Sequence, residues 1–292
     1  MKGEGIKLVR EAERRLRRQL GGDVPVDRVR TPSNIVSVAA EPGASGDAQA
    51  RVEAWFAARG MQPFAFQREV WARYRAGESG LLHASTGTGK TLAAWLGAVM
   101  EAIDAGGGSP GLKVLWITPM RALASDTFVS LAAPLPELGL AWRLALRTGD
   151  TPSGDRTKQD RGGMDALVTT PESLSLMLTR KGLARTFAAL RLVVVDEWHE
   201  LLGSKRGVQV ELALARLRAI APAMRVWGLS ATLGNVEQAR DVLIPGGGGA
   251  IVAAPQTKAM TIDSLMPRDV LRFPWAGHLG IHSVAEVADE IE

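Results

Sequence analysis

Cysteine is absent from the 292 residues, which excludes disulfides, thiolate metal sites and cysteine nucleophiles and fits a reducing, cytoplasmic interior. No apolar run approaches the roughly 20 residues that span a bilayer. The N-terminal MKGEGIKLVREAERRLRRQL also lacks the uninterrupted apolar segment of a secretory signal. A soluble protein, neither exported nor held in a membrane, is the expectation. A large excess of charge of one sign is lacking too: 35 Lys and Arg against 31 Asp and Glu leave a net charge of +4. That balance is compatible with a polyanionic partner without requiring one. No internal repeat shows.

What is present is organised in three stretches. Residues 1–48 combine a charged segment over 10–20 with a Pro/Gly/Ser/Asp-rich run ending in EPGASGD, and read as a short helix and a linker. Arg14, Arg15, Arg17 and Arg18 are interleaved with Glu11 and Glu13, which favours a solvated helix face over a phosphate-binding patch. Residues 49–255 read as the main domain. From Val52 apolar strands alternate with helical segments, the pattern of a parallel α/β sheet. Strands are expected at 80–84, 114–118, 142–146, 166–170, 192–195, 226–230 and 250–253, and helices at 52–59, 66–76, 91–105, 122–131, 172–180, 208–219 and 237–243. Several strands are nearly continuous apolar runs, as expected where helices cover both sheet faces. Residues 256–292 read as a linker and the start of a further domain.

Polar clusters follow the strand ends: STGTGKT, TPMRAL, RTGD, TPESL, DEWH and SAT. In an open parallel sheet, ligands bind at the carboxyl ends of the strands. Ser85, Thr86, Gly87, Thr88, Gly89, Lys90 and Thr91 sit between an apolar strand and a helix, the context of a P-loop. There backbone N–H groups wrap a phosphate, Lys90 neutralises its charge and the Thr91 hydroxyl is a magnesium ligand. Ala84 stands where the signature has its first glycine. Asp196 and Glu197 close an apolar strand. The first is a second candidate ligand for Mg²⁺ and the second a candidate base for the water that attacks the γ-phosphate. His199 beside them is a candidate relay, although a lone histidine is more often structural. Ser230 and Thr232 offer hydroxyls at the same edge, where ordinary cap residues also occur.

Taken in order, Gln67, ASTGTGKT, TPMRAL, TPESL, DEWH and SAT resemble the first-domain motifs of superfamily-2 DExH-box helicases, over about residues 52–240. Phe64-Ala65-Phe66-Gln67, DEWHEL and GSKRGV most resemble the large-helicase-related family, and within it the ligase-associated DNA damage response branch. The resemblance implies an α/β, RecA-like P-loop domain with a mostly parallel central sheet flanked by helices. It implies ATP and Mg²⁺ as cofactors, with Gln67 and a neighbouring phenylalanine reading adenine. It puts Thr118, Pro119, Arg121, Thr148, Gly149, Thr170, Pro171 and Glu172 along a single-stranded nucleic acid, held through phosphates without reading sequence. His199, Ser230 and Thr232 would couple nucleotide state to grip.

By the same resemblance the strand is DNA rather than RNA, movement is 3′ to 5′, and the setting is DNA repair with partners such as a ligase. Where many relatives have a small residue in the DExH box, this chain has Trp198, expected to pack against the helix beyond. A second motor domain, source of an arginine that stabilises γ-phosphoryl charge, is expected to lie beyond this chain, so slow hydrolysis and no translocation are expected of it alone. Alternatives stay open: an RNA-directed motor, or a nucleotide-binding module without motor activity. A P-loop kinase or GTPase accounts for Lys90 and Asp196 but not for TPMRAL, TPESL or SAT.

Overall fold

A strand made only of apolar residues is stable in water only when both of its faces are covered, and the central strands here meet that condition. The computed structural model describes residues 35–37, 47–107, 110–161, 163–255 and 288. The helix expected within 10–20 and the stretch 256–292, Ala288 apart, lie outside the described residues. The chain divides into two units, Met1–Ala254 and Pro255–Glu292, and the elements that follow belong to the first.

In chain order they are β1 (Ile35–Ser37), α1 (Ala48–Ala57), α2 (Ala65–Arg75), β2 (Gly80–His83), α3 (Lys90–Asp104), β3 (Val114–Ile117), α4 (Arg121–Ala132) and β4 (Arg143–Arg147). There follow α5 (Ser153–Asp160), β5 (Ala166–Thr169), α6 (Pro171–Leu178), α7 (Leu183–Phe187), β6 (Leu192–Val195), α8 (Trp198–Leu201), α9 (Lys205–Ile220), β7 (Arg225–Ser230), α10 (Val236–Leu243) and β8 (Ala250–Ala253). The strands form one sheet in the order β1-β4-β5-β3-β6-β7-β2-β8. Strands β2 to β8 pair in parallel, and β1 pairs antiparallel with β4. The expected α/β architecture, a mostly parallel sheet flanked by helices, is therefore present.

β3, β5 and β6 (VLWI, ALVT, LVVV) are buried at every position, and alternate side chains divide between two cores. Trp116, Val194 and Trp227 pack with Val52, Trp71, Trp95 and Phe128 of α1 to α4. Leu115, Val193 and Val195 pack with Leu174, Leu214 and Leu243 of α6, α9 and α10.

The differences from expectation have local causes. Residues 1–48 contribute a strand as well as any linker, because Ile35–Ser37 pairs with Arg143–Ala145. Three residues are too few to show alternation. β4 runs on to Arg147, a residue whose charge argues against a buried strand end. Its guanidinium is buried because Asp160 of α5 lies 2.6 Å away. α5 itself (SGDRTKQD) has no apolar period, and the residue it buries is Gln159.

Candidate functional site

The loop between β2 and α3 is shaped by two glycines with left-handed backbone, Gly87 (φ 73°) and Gly89 (φ 86°). A Cβ at Gly89 would also fall 2.7 Å from Gln67 Nε2. Lys90, the first residue of α3, is buried, and its Nζ donates to the Ala84 carbonyl at 2.8 Å, closing the loop on itself. Thr88 Oγ1 donates to Ser85 O at 2.7 Å. Burial lowers the pKa of the Lys90 ammonium, against the pull of Glu197 and Asp196. A buried cation at the N-terminus of a 15-residue helix forms an anion cradle of the kind phosphates occupy.

Gln67 is buried rather than standing at the surface of its helix. Its oxygen accepts from Phe64 N at 2.9 Å and its nitrogen donates to Gly89 O at 3.0 Å. Phe64 is 58% exposed, with its ring stacked on Phe66 at 5.7 Å.

β6 delivers the acidic pair. Asp196 is buried, its carboxylate accepting from Trp116 Nε1 at 3.2 Å and from Glu197 N at 3.0 Å. Burial pushes this carboxyl up to about 6; the Glu197 charge adds to the rise, and Trp116 and Lys90 oppose it. A carboxylate so situated is short of positive charge. Glu197 adopts φ 45°, ψ 48°, the one positive φ outside glycine among the described residues. Thr91, Asp196 and Glu197 share a cleft of about 210 Å³ with the glycine loop and Lys90. No group of three or more His, Cys, Asp or Glu residues placed to hold a metal occurs among the described residues. Magnesium needs none: it is held by one or two protein oxygens and the phosphates of its nucleotide, and Thr91 with Asp196 fits that donor set.

The fourth wall of the cleft was not foreseen: Leu123, Asp126, Thr127 and Ser130 of α4. One leucine and three polar residues of ordinary helix types, they carry no signal of their own. His199 Nδ1 lies 3.1 Å from Ser230 Oγ and 3.5 Å from a Glu197 carboxylate oxygen. Ala84 N donates to Ser230 O at 3.0 Å. DEWH, SAT and the P-loop are thus physically joined, while Thr232 stands exposed beyond the strand. Trp198 is buried and its indole donates to Ala239 O of α10 at 2.9 Å.

Along the neighbouring strand ends the threonines turn inward. Thr118 is buried, with Oγ1 donating to Met120 O at 3.2 Å. Thr148 is buried, accepting from Asp150 N at 3.3 Å. Thr170 immediately precedes α6 and its Oγ1 donates to Ser173 Oγ at 3.4 Å, with Pro171 in the first helical position. The exposed groups are Arg121, Gly149 and Glu172. Arg121 pairs with Asp150 at 2.7 Å, and its guanidinium lies where a Cβ on Gly149 would come within 3.2 Å. Two arginines absent from the expected set complete this edge. Arg156 donates to Gly149 O at 2.7 Å, and Arg206 donates to Pro119 O at 3.2 Å.

A parallel sheet with a glycine loop, a buried lysine and an acidic pair meeting in one cleft defines a P-loop nucleotide-binding domain. Within that class the chain belongs to the DEAD/DEAH box helicase family, whose model matches residues 64–239. It is 38% identical over 225 residues to the Lhr helicase/uracil glycosylase of Escherichia coli, covering 70% of this chain and 14% of that protein. It is 32% identical to the ATP-dependent helicase Lhr-Core of Methanothermobacter thermautotrophicus, covering 70% and 26%. The Mycobacterium smegmatis helicase Lhr, solved with ssDNA and AMP-PNP, superimposes with a TM-score of 0.64 at 33% identity, covering 73% of this chain and 28% of that one. The chain therefore spans well under a third of these relatives. No helix among the described residues is long and apolar enough to cross a membrane.

Proposed function

We propose that this chain is the nucleotide-binding motor domain of an ATP-dependent helicase that grips one strand of DNA. The observation that carries the reading is the meeting of Lys90, Thr91, Asp196 and Glu197 in one cleft, with His199 beside Glu197 and against Ser230. In this reading Lys90 and the N–H groups of residues 85–89 hold the phosphates. Thr91 and Asp196 hold Mg²⁺, which supplies charge neutralisation there, and Glu197 orients and takes a proton from the attacking water. The Gln67 amide keeps a second N–H and a second oxygen lone pair for the adenine edge, beside the exposed ring of Phe64.

Arg121 and the loops carrying Thr118, Pro119, Thr148, Gly149, Thr170, Pro171 and Glu172 form the strand track. With the threonine hydroxyls committed internally, they shape the loops, and Arg121 supplies the contact with phosphate. His199, Ser230 and Thr232 are assigned to coupling nucleotide state to grip, on the strength of the contact of His199 with Glu197 and Ser230. Similarity to a protein solved with ssDNA supports DNA over RNA. Movement from 3′ to 5′, a role in DNA repair, a ligase as partner and cooperation with a second motor domain belong to the same proposal.

The test is anisotropy with a labelled non-hydrolysable ATP analogue and with matched single-stranded DNA and RNA. Nucleotide and DNA binding are expected, with RNA weaker because its 2′-hydroxyls are unmet. Arg121→Ala is expected to weaken DNA binding while sparing nucleotide. Equal affinity for both strands refutes the DNA assignment, and an unchanged affinity in Arg121→Ala refutes the track.

A further inference from the structure

The proposed track holds a charge that works against it. Glu172, in the first turn of α6, is exposed, and a carboxylate there repels the phosphates the track is meant to hold. Burial pushes its pKa up, but its own backbone N–H, Thr170 and Arg206 together outweigh that and hold the carboxyl below its ordinary value. It is therefore ionised at neutral pH. Arg206 answers it from α9, with Nε 2.6 Å from Glu172 Oε1. The same guanidinium donates through Nη1 to Pro119 O at 3.2 Å.

Two features say that this arginine is not there for the stability of the fold. As the second residue of α9 it places a cation at the positive end of a helix, where the dipole disfavours it. Its ion pair is also about half exposed on both sides, 52% and 47%, a setting in which such pairs contribute at most about 1 kcal/mol. What the contacts do achieve is to tie the loop after β3 to the start of α6, across two neighbouring strands.

We propose that Arg206 is a positioning residue of the strand-binding face, cancelling the charge of Glu172 and fixing the spacing between the 118–121 loop and α6. This rests on the reading of that edge as a strand track. A planar guanidinium fork serves a carboxylate and a carbonyl at once, whereas a lysine ammonium is a single point charge.

The experiment is a double-mutant cycle on the full chain: wild type, Arg206→Ala, Glu172→Gln and the double variant, with Arg206→Lys and Arg121→Ala alongside. A labelled deoxythymidine oligomer reports strand affinity, the ATP analogue reports nucleotide affinity, and the thermal midpoint reports folding. Arg206→Ala is expected to weaken strand binding about tenfold, the scale of one charge-assisted hydrogen bond, with nucleotide affinity and midpoint nearly unchanged. Glu172→Gln should raise affinity more in the Arg206→Ala background than in wild type, and Arg206→Lys should restore only part of the loss.

If Arg206 instead touched phosphate directly, its removal would lower the salt slope by about 0.7, and Glu172→Gln would act by the same factor in both backgrounds. Either result overturns the proposal, as does full rescue by lysine. Failure of the track itself reads differently: Arg121→Ala then leaves strand affinity unchanged. If Arg121→Ala weakens binding while Arg206→Ala does not, the track stands and this inference falls.

Discussion

Replacing Gly207 by alanine tests how tightly the segment after DEWH is packed. Gly207 lies in the first turn of α9, its N–H donating to Ser204 Oγ at 3.1 Å. A Cβ there would stand 2.1 Å from the Leu201 carbonyl oxygen and 2.9 Å from its carbon. These are backbone atoms, and the same oxygen already accepts from Ser204 N at 3.1 Å and from Ser204 Oγ at 2.7 Å. A bare van der Waals contact requires a shift of about 1 Å, either of the first turn of α9 or of the α8 end, with loss of the Ser204 cap. Overpacking of this kind costs about 1–3 kcal/mol and the cap about 1 more, offset by up to about 1 kcal/mol of helix propensity. The net is about 1–4 kcal/mol, or a fall in midpoint of about 2–16 °C for a domain of this size.

Urea and thermal unfolding followed by the fluorescence of the 8 tryptophans measure it. Gly154 is the internal control. It lies in α5, and a Cβ there meets nothing within 4 Å, so Gly154→Ala should be neutral or stabilise by up to about 1 kcal/mol. If Gly207→Ala unfolds at the wild-type midpoint or alongside Gly154→Ala, the close packing argued here is wrong.

Lys90→Ala removes the buried cation of the phosphate cradle, and analogue affinity should drop by about 100-fold with strand affinity retained; loss of both would point to misfolding of the loop. Trp198→Phe deletes the donor to Ala239 O and leaves a gap, costing about 2–3 kcal/mol in urea titrations, and a cost near zero would refute the role given to that indole. Glu101 makes a bidentate pair with Arg225, which also stacks on Tyr74. Burial raises the Glu101 pKa, but Arg225 and Tyr74 outweigh it and hold it below the ordinary range. Its contribution is therefore present above the unfolded pKa and lost as pH falls through the folded one. Glu101→Gln should destabilise at about pH 7, with a deficit that shrinks as pH is lowered below the ordinary carboxylate range; a deficit that stays constant as pH falls refutes the linkage.

The central sheet was legible because β3, β5 and β6 bury both faces and so appear as unbroken apolar runs. The candidate cleft was legible because a phosphate cradle and its acidic partner need particular residue types after such strands. Less was visible where a side chain is committed to its own chain. The types of Thr118, Thr148 and Thr170 do not reveal that their hydroxyls turn inward, nor that Gln67 commits one lone pair to Phe64 N and one N–H to Gly89 O. α5 escaped notice because it is held by Gln159 and an ion pair rather than an apolar stripe. Arg206 did leave a trace: a cation in the first turn of a helix, where the dipole opposes it.

Strand β1 covers what would otherwise be an open edge of the sheet. β4 would be the outermost strand of the sheet if Ile35–Ser37 did not pair along it. A version trimmed to start at residue 49, the expected start of the main domain, would present the five-residue β4 with unpaired N–H and C=O groups over a buried apolar face. Such an edge is a template for a strand of another molecule. If the few residues of β1 guard that edge against self-association, light scattering should rise with concentration for the trimmed chain and stay flat for the full one.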